Sequence, residues 1–156
     1  MPMKRDYSLV GPENAAAVSK GLANAQWYRC AVPRKQMKEL MQRSDAAAIR
    51  DTILWVLLFI LFAAGATYSW GTWICVPFFI GYGVLYGSSS DSRWHECGHG
   101  TAFKTRWLND LVYKVACFMI MRDPEVWRWS HTRHHTDTII VGRDPEIAVK
   151  RPPSLW

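Results

Sequence analysis

The chain has 156 residues, enough for one ordinary domain, and 19 Lys and Arg against 13 Asp and Glu give it a net charge of +6. That balance suits an anionic membrane surface or a nucleic acid, while four scattered cysteines without a C-x-x-C pair exclude a small disulfide scaffold. The mean hydropathy of −0.11 suggests a soluble protein, but it averages polar ends with a concentrated apolar centre.

Residues 1–11 carry Lys4, Arg5 and Asp6 and no apolar core, so no secretory signal peptide is expected. Residues 1–32 read as a polar, flexible N-terminal segment; the alanine-rich stretch from Pro12 to Gln26 has no clear structural assignment. Pro33 suits the first turn of a helix. The basic run Arg34 to Met41 that follows puts Met37, Leu40 and Met41 on one side, as a helix lying on a membrane surface does. A solvated helix of a soluble domain fits that run equally.

From Thr52 the character changes. Thr52 to Tyr68 is uncharged and dense in Leu, Ile, Val, Phe and Ala; Ser69-Trp70-Gly71-Thr72 breaks the run; Trp73 to Gly87 is uncharged again. Each half is about 15–17 residues, so about 22–26 Å as helix against a hydrocarbon core of roughly 30 Å, and either can extend by a turn. Neither half has a polar face, which is unusual for soluble helices. The sequence therefore predicts a transmembrane helical hairpin over 52–88. Arg34, Lys35, Lys38, Arg43 and Arg50 precede it, Arg93, Lys104 and Arg106 follow it, and the turn carries no charge. By the positive-inside rule, both flanks and both termini face the cytoplasm. The nine tryptophans cluster around the apolar centre and the histidines, in keeping with membrane interfaces. The lipid bilayer, not nucleic acid, is the partner this pattern implies.

All five histidines fall just beyond the hairpin, between residues 91 and 138. His95 and His99 share one helix face in His95-Glu96-Cys97-Gly98-His99; His131, His134 and His135 share another in His131-Thr132-Arg133-His134-His135. Imidazole is the commonest protein metal ligand, and two one-sided clusters read as two halves of a metal site. Cys97, between the first two histidines, reads as a small packing residue rather than a ligand. Between the clusters, Trp107 to Met121 has Leu108, Leu111, Val112, Val115, Phe118 and Met119 at helical spacing, with Asn109, Asp110 and Lys114 opposite. This predicts an amphipathic, interfacial helix. Asp123-Pro124 marks a further helix start, leading into Trp127, Trp129 and the second cluster. The chain closes on Arg151 to Trp156 without another organised segment.

Residues 95–99 satisfy H-E-x-x-H, which in zinc proteases supplies two ligands and a glutamate base between them. The second cluster weighs against that reading, because it adds three imidazoles where such a site needs one more ligand. Nitrogen-rich ligation also suits iron. A di-metal site is the favoured reading; a membrane zinc protease, or a membrane protein that binds metal without catalysis, remains the alternative.

The pattern H-x-x-x-H after a membrane hairpin, then H-x-x-H-H, resembles the membrane fatty-acid desaturases and their hydroxylase relatives, over roughly Pro33 to Glu146. His95 to Gly100 is similar to the family's first histidine box and Trp129 to Asp137 to its second. The resemblance implies an all-α membrane protein, with a partial desaturase domain over 33–156 and interfacial or cytoplasmic helices carrying the boxes. It further implies that His95, His99, His131, His134 and His135 ligate a non-haem di-iron centre. With O₂ and electrons from an external ferredoxin or cytochrome, such a centre desaturates a fatty acyl chain. Glu96, Asp91, Asp137 and Asp144 are candidates for orienting the imidazoles, and Arg133 for meeting an acidic headgroup or for a structural ion pair. Trp127 and Trp129 read as interface anchors or as lining for the acyl path. Gly98 and Gly100 are expected to permit close helix approach. Family members are longer, with a second hairpin and a third histidine box, so this chain is expected to be an amino-terminal part, inactive alone.

Overall fold

The computed structural model describes residue 6, residues 8–24 and residues 30–147. Expectations for residues 1–5, 7, 25–29 and 148–156 lie outside the described residues, as do the side chains of Asn24, Ser88 and Ser89. All regular structure among the described residues is helical: α1 (Pro12–Ser19), a 3₁₀ turn (Leu22–Asn24), α2 (Arg34–Leu40), α3 (Asp45–Tyr68), α4 (Cys75–Gly98), α5 (Arg106–Met119) and α6 (Pro124–Asp137). The chain divides into two compact units, one formed by residues 32–124 and the other by residues 1–31 with 125–156.

In the unit of residues 32–124, α3 starts on Asp45, an acidic residue suited to a first turn, and on Ala46-Ala47-Ala48, strong helix formers, seven residues ahead of the charge-free run. It is the one helix among the described residues long and apolar enough to cross a membrane, with mean hydropathy 2.0 over its most apolar window. The second expected span forms the first part of α4. That helix runs without a break through Asp91, Arg93 and Glu96 into the first histidine box. Its glycines, tyrosines and serines make it less apolar than α3.

Helices α3 and α4 pack antiparallel. The Trp55 indole N–H donates to the Leu85 carbonyl at 3.2 Å, and Phe59 meets Tyr82 with ring centroids 4.4 Å apart. Near the turn, two glycines face two phenylalanines: a Cβ on Gly65 would stand 2.3 Å from the Phe78 ring, and one on Gly81 would stand 2.4 Å from Phe62. Small residues let the backbones come close, and aromatic rings fill the space above them. Outside this seam, Leu54, Leu57 and Leu61 of α3 and Ile80 and Val84 of α4 are exposed. So continuous an apolar exterior marks a surface made for lipid or protein.

Helix α5 packs on the lower half of α4 through its smaller and more polar face. Tyr113, Ala116 and Cys117 are buried on α5, and Ser90, Trp94 and Cys97 on α4. Asn109, which the sequence sets opposite the apolar stripe, is buried, and Leu111, Val115 and Phe118 of the stripe are exposed. The amphipathic helix is present, with Leu111, Val115 and Phe118 of its stripe outward and Asn109 of its polar side packed inward, while Lys114 is exposed.

In the other unit, the alanine-rich N-terminal stretch carries α1. Gly142, at φ +79°, comes so near it that a Cβ would stand 2.6 Å from the Asn14 backbone nitrogen. Arg143 donates to the Asn14 side chain at 3.1 Å beside this contact. Helix α6 begins at Pro124, where Asp123-Pro124 predicts a start, and carries the second cluster to its C-terminal turn.

Candidate metal centre

The first cluster sits at the C-terminus of α4. His95 lies in its last turn and His99 is its helical C-cap residue, so the i, i+4 relation holds and the ring centroids are 4.8 Å apart. The helix then stops on Gly100, at φ +68°. The Gly100 N–H donates to the Cys97 carbonyl and the Thr101 N–H to the Glu96 carbonyl, the paired bonds of a Schellman end. No atom lies within 4 Å of a Cβ built on Gly100, so its requirement is conformational; Gly98 is the residue of close approach, with Tyr113 3.1 Å from a built Cβ.

The loop after His99 is fixed from three sides. Buried Asn109 accepts the Phe103 N–H at 3.0 Å and donates back to the Phe103 carbonyl at 2.9 Å. Asp45, in the first turn of α3, accepts the Thr105 N–H and hydroxyl at 2.9 and 2.7 Å. Arg43 donates to the carbonyls of Gly100 and Phe103. The bonds from the backbone and hydroxyl of Thr105, the N-cap residue of α5, hold the Asp45 carboxyl below the ordinary range.

His95 Nδ1 lies 3.0 Å from a Glu96 carboxylate oxygen, and the Thr101 hydroxyl donates to the other at 3.0 Å. Burial alone would raise the Glu96 pKa, but the bonds from His95 and Thr101 outweigh it and lower it. Cys97 is buried, and burial pushes its thiol up to about 11, as befits a packed thiol rather than a thiolate ligand. None of the four cysteines is in a disulfide.

The second cluster occupies the last two turns of α6. His131 and His135, one turn apart, turn their Nε2 atoms toward each other at 3.1 Å. Two imidazole nitrogens held at about 2.0–2.1 Å from one ion stand roughly 2.8–3.4 Å apart for right to tetrahedral angles, so this pair fits a shared transition metal. The His134 ring lies 5.9 Å from that of His131 and 5.7 Å from that of His135. Behind the cluster, His134 Nδ1 is 2.9 Å from a carboxylate oxygen of Asp144, and His131 Nδ1 is 3.0 Å from one of Glu146.

Asp144 is buried and also accepts the backbone N–H groups of Ile139 and Glu146, at 2.8 and 2.9 Å. Burial works to raise its pKa; the bonds from His134 and the two N–H groups lower it on balance. Of the four carboxylates named from sequence, Glu96 and Asp144 meet imidazoles. Asp91 pairs with Arg122, and Asp137 with Arg133 and Arg143 at 3.6 and 3.2 Å. Arg133 is thus part of a structural ion pair. Glu146 escaped the sequence reading, since it lies beyond the helix and reaches His131 only through the fold; its only linear signal is its place two residues after Asp144.

Imidazoles grouped on helix faces and backed by carboxylates, in a chain with a helix long and apolar enough to cross a membrane, make a helical protein whose histidines could hold a metal ion. Comparison with known proteins narrows the class. The family model "Fatty acid desaturase" matches residues 69–156, and the chain belongs to the fatty acid desaturase family. It is 36% identical over 76 residues to an omega-6 fatty acid desaturase (endoplasmic reticulum isozyme 1) of Glycine max, covering 47% of this chain and 19% of that one. It is 28% identical to the sn-1 acyl-lipid omega-3 desaturase (ferredoxin) of Nostoc sp. (strain 36), over 74% of this chain and 31% of the relative. It is 29% identical to the Delta(5) fatty acid desaturase fat-4 of Caenorhabditis elegans, over 83% and 30% respectively. The chain thus spans under a third of the length of these relatives. No solved structure matches it.

Proposed function

We propose that this chain forms part of a membrane-bound, O₂-dependent fatty acyl desaturase of lipid metabolism, with His95, His99, His131, His134 and His135 as ligands of a non-haem di-iron centre. The observation that carries the reading is the pair of histidine boxes on helix faces, in a chain whose residues 69–156 match the desaturase family. The hairpin α3–α4 would cross the bilayer, with its exposed Leu, Ile and Val side chains against lipid. The outward apolar stripe of α5 would lie in the interface and keep the boxes at the cytoplasmic membrane surface.

Iron, when bound, supplies the O₂-dependent oxidation that removes hydrogen from an unactivated acyl methylene, a bond beyond the reach of acid–base chemistry. The residues described here hold and orient it. The Asn109, Asp45 and Arg43 bonds fix the loop behind His99, and Glu96, Asp144 and Glu146 face Nδ1 of His95, His134 and His131. An external ferredoxin- or cytochrome-type protein would deliver the electrons; the name of the Nostoc relative specifies ferredoxin. Five histidines are too few to furnish two irons fully, so the 156-residue chain by itself is expected to bind iron without turnover.

The H-E-x-x-H match to zinc proteases gains nothing from the geometry, because both Glu96 oxygens are engaged within its own helix end. The test is to load the detergent-purified chain with iron or zinc and assay O₂ uptake, acyl product and peptide cleavage, with Glu96→Gln in parallel. Iron binding that survives Glu96→Gln, with no cleavage by either form, is expected. Zinc-dependent cleavage lost in Glu96→Gln with zinc retained would establish the protease instead. An unsaturated product from the chain alone would overturn the expectation of inactivity.

A further inference from the structure

The geometry points to Asp144-Pro145-Glu146 as a clamp that fixes the tautomer of two histidines of the second box: its two carboxylates hold Nδ1–H on His134 and His131, so that the ligating lone pair of each ring lies on Nε2. The inference rests on reading these histidines as ligands and adds the residues that set their tautomer.

His131 and His134 lie three apart on α6, so their rings stack on one face, with an interplanar angle of 23°. Both Nδ1 atoms face the segment that follows the helix. Glu146 spans the pair, with one oxygen 3.0 Å from His131 Nδ1 and the other 3.9 Å from His134 Nδ1. Asp144 meets His134 Nδ1 with both oxygens, at 2.9 and 3.0 Å. An ionised carboxylate only accepts, so a neutral ring placed this way must carry its proton on Nδ1.

The segment itself holds the shape of the clamp. Asp144 draws in the Glu146 N–H two residues on, and Pro145 between them restricts the backbone, so the two carboxylates are held in fixed relation. Asp144 also accepts the N–H of Ile139, which sits at φ +68° just past the helix, a conformation a β-branched residue rarely adopts. The chain is thus turned back sharply enough to bring residues 144–146 beside α6. Each pair has one well-covered member, His131 at 12% side-chain exposure against Glu146 at 21%, and Asp144 at 1% against His134 at 28%. On the far side of the His131 ring, Nε2 is turned to Nε2 of His135, where the shared ion fits.

The test uses the full chain, labelled with ¹⁵N-histidine in detergent at pH 8 without metal, and reads tautomers from long-range ¹H–¹⁵N correlations. His131 and His134 are expected as Nδ1–H tautomers. Glu146→Ala should return His131 to Nε2–H, and Glu146→Gln, whose amide oxygen still accepts, should keep Nδ1–H. In a cobalt(II) titration of the same samples, Glu146→Ala should weaken binding about 10–100-fold and Glu146→Gln far less. Nε2–H tautomers in the wild type, or a tautomer indifferent to Glu146→Ala, would overturn the clamp whatever the metal result. A wild type with the expected tautomers that binds no cobalt would sustain the clamp and sink the metal-centre reading.

Discussion

Gly100 and Met121 hold equivalent positions at the ends of α4 and α5, both left-handed, at φ +68° and +54°. Each helix closes with the same pair of bonds; at α5 they run from the Met121 N–H to the Phe118 carbonyl and from the Arg122 N–H to the Cys117 carbonyl. A Cβ in this conformation costs about 1–2 kcal/mol. Gly100→Ala, with free space around its Cβ, should therefore destabilise the chain by about 1 kcal/mol, and Met121→Gly should stabilise it by a similar amount. Thermal unfolding in detergent followed by circular dichroism checks both, and opposite signs are the requirement. Asn109→Ala should cost more, about 2–3 kcal/mol, because it strands the buried N–H of Phe103 and removes one of the two donors to its carbonyl.

At the scale of elements, the ends of α3 and α5 are joined through Asp45. Its pKa is lowered by the Thr105 N–H and hydroxyl, so its contribution to stability is complete above the ordinary value of 3.8 and is lost as the pH falls through the lower folded value. The difference in stability between the wild type and Asp45→Asn should be present at pH 6 and shrink below pH 4; a gap unchanged by acid would contradict the bond. The seam between α3 and α4 gives a second expectation. Gly81→Val thrusts side-chain atoms into the Phe62 ring and should lower stability by about 1–3 kcal/mol in the same assay.

Helix existence is legible in the sequence. The charge-free runs, the Asp123-Pro124 start and the i, i+4 histidines are local signals, and local bonds answer them. What the sequence leaves open is which medium each face meets. Periodicity separates the two faces of α5, but only packing reveals that Asn109 is inside and Leu111 outside, since an apolar stripe suits a protein core and a membrane alike. Glu146 is hidden for a related reason: it meets His131 through a reversal of the chain after α6, a tertiary event with no period to betray it. Gly100 shows the same limit, because glycine marks a close approach or a left-handed turn and only the backbone angle separates them.

For the whole molecule, the proposed placement in the bilayer puts the turn between α3 and α4 on the non-cytoplasmic side, by the charge on either side of the hairpin. In a cysteine-free background, Thr72→Cys should react with a membrane-impermeant maleimide from the non-cytoplasmic side, and Lys38→Cys from the cytoplasmic side alone; the reverse pattern would invert the topology. The proposed assignment of all five histidines to one di-iron centre predicts that neither box suffices alone. It is tested most directly by the iron content of the chain after anaerobic Fe(II) loading and desalting, measured for the wild type, for His95→Ala with His99→Ala, and for His131→Ala with His135→Ala. Iron retained by the wild type and lost from both double variants is the result predicted. Iron kept by either double variant, or none in the wild type, would contradict it.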